Sequence, residues 1–325
     1  MADNVNSHYF HAEAHALTGA LELPFRQDIK KQAFVKLQGQ LAEWAGAEQE
    51  QRSYYSQNTG EFRVEGIISY ASARTQVSGH ASKKHDGASV TLSTSVVENL
   101  NVLIVVTADR VVAQVSTTHF PDVYAPSVTF LGTHFENLRI ARHRAEPFLN
   151  LGLCGEKPGG KGMYVDQGTT FMKAVASQYQ RLAAGLKGLD ADDPEVNRLQ
   201  APEGSVATQY RGFDLDSDGI GAQAKVAREG DKEWDGVTCS LVENVDIKDI
   251  SAKGADGKPI QIPAPAKPFG HVIHIPDFGN VFLAELTVNH NTFNLTMIRL
   301  ELGCIADARV KIATCEVNGK GSGGH

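Results

Sequence analysis

Two long stretches of the chain, residues 61–153 and 235–317, are cut by Gly, Pro and Asp into short runs rich in Val, Ile, Thr and Phe. The first holds FRVEGIISYASARTQVSG, GASVTLSTSVVENLNVLIVV, RVVAQVSTTHF, PSVTFLGTHFENLRIA and PFLNLGL. The second holds DGVTCSLVENVDIKDI, GHVIHIPDFGNVFLAELTV, NTFNLTMIRLELGC and ARVKIATCEV. β-Branched and aromatic side chains suit a pleated, half-buried surface, and the punctuating residues supply turns. Strand follows strand with little helix between, which predicts meanders or Greek keys in preference to βαβ units.

The stretch between them differs. Phe171, Val175, Tyr179, Leu182 and Leu186 recur at three- and four-residue intervals while Lys173, Gln178, Gln180 and Lys187 point elsewhere, which predicts an amphipathic helix over 168–189 with Gly188 as its C-terminal stop. LDADDPEVNRLQAPEGS then reads as an acidic linker. Residues 27–51 are ambiguous: Ile29, Ala33, Leu37, Leu41 and Trp44 form a helical stripe, yet Gly39 and Gly46 weaken it and Phe34-Val35 suits a strand. With 325 residues, 42% apolar and 21% charged, the chain has the length of about two ordinary folded domains. The expected architecture is mainly β: two tandem β-sandwich or barrel domains over 1–154 and 206–325, joined by a glycine-rich loop, the helix and the linker over 155–205.

Three short matches recur in the same order in both β regions. SVVENL at 95–100 resembles SLVENV at 240–245, HFPD at 119–122 resembles HIPD at 274–277, and FLG at 130–132 is echoed by FLA at 282–284. They suggest an internal duplication in which Glu98 matches Glu243 and Asp122 matches Asp277, with an insertion around 256–268.

Several constellations bear on chemistry. In HYFHAEAHALTG, His11, Glu13 and His15 sit at every second position, so an extended chain places them on one face as imidazole, carboxylate, imidazole, a sensible transition-metal set. The plainer reading is an amphipathic strand with these residues in solvent. Asp214, Asp216 and Asp218 alternate ahead of Gly219 as in a calcium loop, although Lys225 stands where an EF-hand needs its bidentate Glu; a solvated turn explains the same letters. GEKPGGKG matches a phosphate-binding loop through Gly155, Gly160 and Lys161, but Gly162 replaces the magnesium-holding Ser or Thr and the helix begins late. His119 with Asp122 and His274 with Asp277 form two acid-base couples on paper, where proline more simply marks a strand end. There is no GxSxG.

The formal charge of -7 disfavours broad nucleic-acid binding, the local group Arg139, Arg142, His143 and Arg144 notwithstanding. No run approaches the roughly twenty apolar residues of a membrane span; the strongest, VLIVV at 102–106, is of strand length. The N-terminus lacks the pattern of a secretory signal, and Cys154, Cys239, Cys304 and Cys315 form no CxxC pair, so the expectation is a cytoplasmic protein with reduced, mostly buried thiols. With no complete catalytic motif, the reading is a non-catalytic structural, self-assembling or binding protein whose partner is itself. The alternative is a metal-dependent enzyme of double-barrel (bicupin-like) type using His11, Glu13 and His15.

Overall fold

The structure is a computed structural model that describes residues 8–23, 25–40, 52–64, 66–82, 87–121, 123–186, 213–214, 223–224, 236–253, 259–290, 292–303 and 308–318. In chain order the strands are β1 (Tyr9–Leu21), β2 (Gln27–Gln32), β3 (Val35–Gln40), β4 (Arg52–Thr59), β5 (Phe62–Val64), β6 (Ile68–Tyr70), β7 (Ser72–Ala81), β8 (Ser89–Val102) and β9 (Val106–His119). The short β10 (Ser127–Thr129), β11 (His134–Glu136) and β12 (Arg139–Ile140) lead to β13 (His143–Leu149) and the helix α1 (Thr170–Leu186). Beyond it lie β14 (Phe213–Asp214), β15 (Gln223–Ala224), β16 (Val237–Ser240), β17 (Val242–Ile247), β18 (Ile250–Lys253) and β19 (Pro259–Ile262). β20 (Lys267–Phe269), β21 (Val272–Ile275), β22 (Gly279–Asn289), β23 (Thr292–Leu302) and β24 (Ala308–Asn318) complete the described chain.

The protein is mainly β, with two large antiparallel sheets. One runs β2-β1-β24-β23-β22-β21-β20, with β3 also on β1 and β16 on β22; the other runs β17-β13-β12-β9-β8-β6-β5, with β10 and β11 on β9, β7 on β8 and β4 on β7. The boundaries expected at 154 and 206 are crossed by this pairing. β1 joins β24 over ten residue pairs, from His11 opposite Asn318 to Leu21 opposite Ala308, so the N-terminal strand lies in the sheet built by the C-terminal ones. The buried side chains of both sheets belong to one apolar cluster. Residues 27–40, ambiguous in sequence, form the strands β2 and β3 because β1 offers each of them a different half of its length.

The sheets meet face to face through unusually short side chains. Over residues 89–97 of β8 the buried positions are Ser89, Thr91, Ser93, Ser95 and Val97, while Val90, Leu92 and Val96 are only half-buried. Opposite them β1 buries Ala12, Ala14 and Ala16. Small residues let the backbones approach, and the hydroxyls then reach across: Ser93 Oγ donates to Glu13 O at 2.7 Å, Ser95 Oγ to His15 O at 2.9 Å and Thr75 Oγ1 to Ala33 O at 2.6 Å. A buried hydroxyl without a partner would cost about 1–3 kcal/mol, so these bonds fix how the sheets are set on each other.

The first sheet is kinked along one row. Its pairing skips Ala16, Ala313, Met297 and Ala284, one residue on each of four neighbouring strands. Ala284 and Ala313 have φ of 47° and 51°, a left-handed conformation costing about 1–2 kcal/mol for an L-residue. The buried set changes phase there, from Phe293, Leu295 and Met297 to Ile298, Leu300 and Leu302, and from Val310 and Ile312 to Ala313, Cys315 and Val317. The displaced Ala284 carbonyl accepts from the Leu241 N–H at 2.9 Å, where the chain leaves β16 in one sheet for β17 in the other.

α1 covers that crossing. The Thr169 hydroxyl caps its start by accepting the Met172 N–H at 3.2 Å. Phe171, Val175 and Leu182 are fully buried, as the periodicity predicts. Gln178, read as facing elsewhere, is buried too: its amide donates to Ser240 O at 2.9 Å and accepts from the Ser240 N–H at 2.8 Å, standing in for a strand partner at the break. Gly188 lies outside the described residues.

Two further expectations change. VLIVV is not a strand interior: Val102 pairs with Val106, and Leu103 and Ile104, at φ 50° and 61°, form the β8–β9 turn with the Ile104 N–H donating to Asn101 Oδ1 at 2.9 Å. SVVENL and SLVENV do not occupy equivalent places. The first lies within the 14-residue β8 between two partners, whereas the second crosses between sheets, so the pairing does not bear out a strand-for-strand duplication.

Candidate functional site

His11, Glu13 and His15 do share the outer face of β1, as the extended reading requires. Their neighbours come from β2, β3 and β24. Lys31 Nζ lies 2.9 Å and Lys36 Nζ 3.0 Å from the Glu13 carboxylate, and His11 Nε2 lies 3.6 Å from Glu13 and 3.4 Å from Glu316. Burial pulls the Glu13 carboxyl upward, but the hydrogen bonds and charges of Lys31 and Lys36 outweigh it and hold the group below its ordinary value. His15 is buried, and desolvation together with Lys31 and Lys311 lowers it to about 4. Two ammonium groups on one carboxylate make this a network that clips β2 and β3 onto β1. Among the described residues, no group of three or more His, Cys, Asp or Glu is arranged to hold a metal ion.

The other sequence candidates are scattered. Asp214 lies in β14, opposite Gln223, while Asp216 and Asp218 fall outside the described residues. Gly155 and Gly160 take φ of 64° and 57° in a loop that ends well before α1, and Lys157 Nζ lies 3.8 Å from the centre of the Phe120 ring. Asp122 is outside the described residues; His274 Nδ1 is 3.1 Å from Asn280 Oδ1, and Asp277 sits at φ 60° in the turn before β22, the turn role that the sequence suggests. Cys154, Cys239 and Cys315 are free and buried, and burial pushes each thiol up, Cys315 to about 12, far from a reactive thiolate. Cys304 lies outside the described residues.

One charged cluster has no counterpart among the sequence motifs. Arg299 packs its guanidinium 3.6 Å from the centre of the Phe282 ring, donates to both Glu285 oxygens at 2.5 and 2.9 Å, and also bonds Glu301. The three charged groups bond one another, which holds β22 to β23.

A second missed feature faces solvent. β4 pairs only with β7 among the described strands, through eight consecutive positions from Arg52 opposite His80 to Thr59 opposite Ala73. Among the described strands its far side is a sheet edge. Tyr54 is 43% and Tyr55 53% exposed, so both faces of the strand meet water, and residues 53–60 carry no charge. The sequence signal is a Tyr- and Thr-containing run closed by Gly60, but only pairing reveals that it lies at an edge.

A family model described as Domain of unknown function (DUF8256) matches residues 8–289, from the start of β1 to the end of β22. No curated protein and no solved structure matches the chain. No helix among the described residues is long and apolar enough to cross a membrane.

Proposed function

This chain belongs to the DUF8256 family, and for it we propose a non-catalytic role as a self-associating β protein whose contact is the open edge of β4. The observation that carries the reading is the uncharged, two-sided exposure of SYYSQNTG on a strand with one partner among the described strands. An edge presents a row of N–H and C=O groups that pair readily with another strand. Antiparallel pairing of β4 with β4 of a second copy is closed by a two-fold axis, since each residue of one copy meets in the other the residue that meets it. No like charges then face each other across the pair, and the tyrosines add cross-strand contact on both faces.

The test is the mass in solution across a wide concentration range, by sedimentation velocity. The expected result is a dimer for the native chain and a monomer for Tyr54→Lys with Tyr55→Lys, weakened about a hundredfold because each cross-strand pair contributes about 0.2–1 kcal/mol and the change enters twice. A monodisperse native monomer, or a dimer that the two lysines leave intact, overturns the reading.

A further inference from the structure

We infer that His8 and His119 form a two-imidazole site for a divalent transition metal such as Zn²⁺, Ni²⁺ or Cu²⁺, joining the start of β1 in one sheet to the end of β9 in the other. The two rings are 5.0 Å apart between centres and tilted by 30°. Both residues are more than nine-tenths buried, at 7% and 8% exposure. Among the described residues, Nδ1 and Nε2 of His8 and Nδ1 of His119 have no hydrogen-bond partner, so two neighbouring rings hold three buried nitrogens with nothing to bond there. Buried polar atoms of native proteins are nearly always satisfied, and a neighbouring pair of orphaned imidazoles needs an explanation.

A shared metal supplies one. Zinc binds imidazole nitrogen at about 2.0–2.1 Å, and with the ring centre about 1.1 Å further on, two imidazoles on one tetrahedral ion hold their centres about 5 Å apart. The spacing observed without a metal is already the spacing a metal needs. Metal ligation also requires neutral rings. Burial, with His119 second, lowers His8 to about 4, and burial with the nearby Lys157 lowers His119. The Lys157 ammonium is itself drawn onto the Phe120 ring, 3.8 Å from its centre. Phe10 packs edge-on against His8 with centres 4.5 Å apart. Two protein ligands leave the remaining positions of the ion to water.

The site is separate from the outer face of β1, because the alternation of the strand sets His8 with Phe10 and apart from His11, Glu13 and His15. The full untagged chain, in a His11→Ala, His15→Ala background, is titrated with Ni²⁺ and Zn²⁺ at neutral pH and examined with Cu²⁺ by electron paramagnetic resonance. The expected results are one equivalent of metal bound, a rise in melting temperature, and splitting from two nitrogens. Adding His8→Ala or His119→Asn abolishes all three. Circular dichroism verifies that each replacement leaves the chain folded. Absence of binding in the parent, or binding that persists without both imidazoles, overturns the inference.

Discussion

β2 and β4 are both edge strands among those described, and the chain treats them in opposite ways. β2, QDIKKQ, buries only Ile29 and shows charged or amide side chains elsewhere. Lys31 reaches back to Glu13 and lies 4.6 Å from the centre of the Phe34 ring, the Ile29 carbonyl accepts from Thr18 Oγ1 at 3.2 Å, and the Lys30 carbonyl accepts from Gln32 Nε2 at 2.8 Å. Lysines and occupied carbonyls are how proteins blunt an edge. β4 has no charged side chain over residues 53–60 and exposes two tyrosines instead, and the Gln57 carbonyl, which accepts from Thr75 Oγ1 at 3.5 Å, is bonded from the β7 side. The difference teaches that edge protection is available to this sequence and is withheld at β4.

Acid separates the two edges with the largest effect. His8 and His15, beside and within β1, have folded values of about 4 against an ordinary 6.5. Their folded values are depressed, so the unfolded chain takes up protons first: stability is full above 6.5 and falls as the pH drops from there to about 4. A tenfold difference in proton affinity between the folded and unfolded chain is worth about 1.4 kcal/mol, so two such groups make the loss several kcal/mol. His271, held at about 3 by burial, adds to it. Glu13 and Glu316, whose values are lowered, give up their contribution only below the ordinary 4.5. Melting temperature should fall through the histidine window, and amide exchange should quicken in residues 9–40 before 52–81. A flat profile would show that the β1 region is not held by neutral imidazoles.

Much of the β architecture is readable because alternation and turn residues are local signals, and α1 is readable from its 3.6-residue stripe. Which face of a strand turns inward is not. In β8 alternation separates Val90, Leu92 and Val96 from Ser89, Thr91, Ser93 and Ser95, but burial of the serine face depends on the Glu13 and His15 carbonyls about eighty positions away. The union of β1 with β24 has no local signature either, nor has the kinked row that lets Ala284 and Ala313 be buried at positive φ. At the candidate metal triad, the shared face is readable from spacing; the lysines that neutralise Glu13 are not, because they arrive on β2 and β3. The His8–His119 pair is invisible in sequence because its members are 111 positions apart and lie in different sheets.

A smaller effect tests the joint between the two edge regions. Thr75 on β7, the strand carrying β4, donates to the carbonyl of Ala33 between β2 and β3. Thr75→Val should cost about 1–2 kcal/mol in denaturant unfolding, by orphaning a buried acceptor, while leaving the solution mass unchanged. Unaltered stability would mean that the bond does not join these regions. The smallest effect is at β2: Lys30→Thr should shift stability by no more than about 0.5 kcal/mol and introduce weak association beyond the dimer. Strong association from this one change would mean that a single lysine, and not the occupied carbonyls, guards the edge.

The edge of β4 is tested most directly by cysteine cross-linking. Directly opposed residues of an antiparallel pair hold their Cβ atoms about 4.5–5.5 Å apart, near the span of a disulfide. In a Cys304→Ser background, with the three described cysteines buried, Tyr55→Cys, Ser56→Cys and Gln57→Cys are oxidised singly beside Lys30→Cys on β2. Self-association through β4 predicts a covalent dimer from at least one of the three β4 positions, where the two-fold axis passes, and none from β2. No dimer from any of the three, or equal yield from β2, would contradict it.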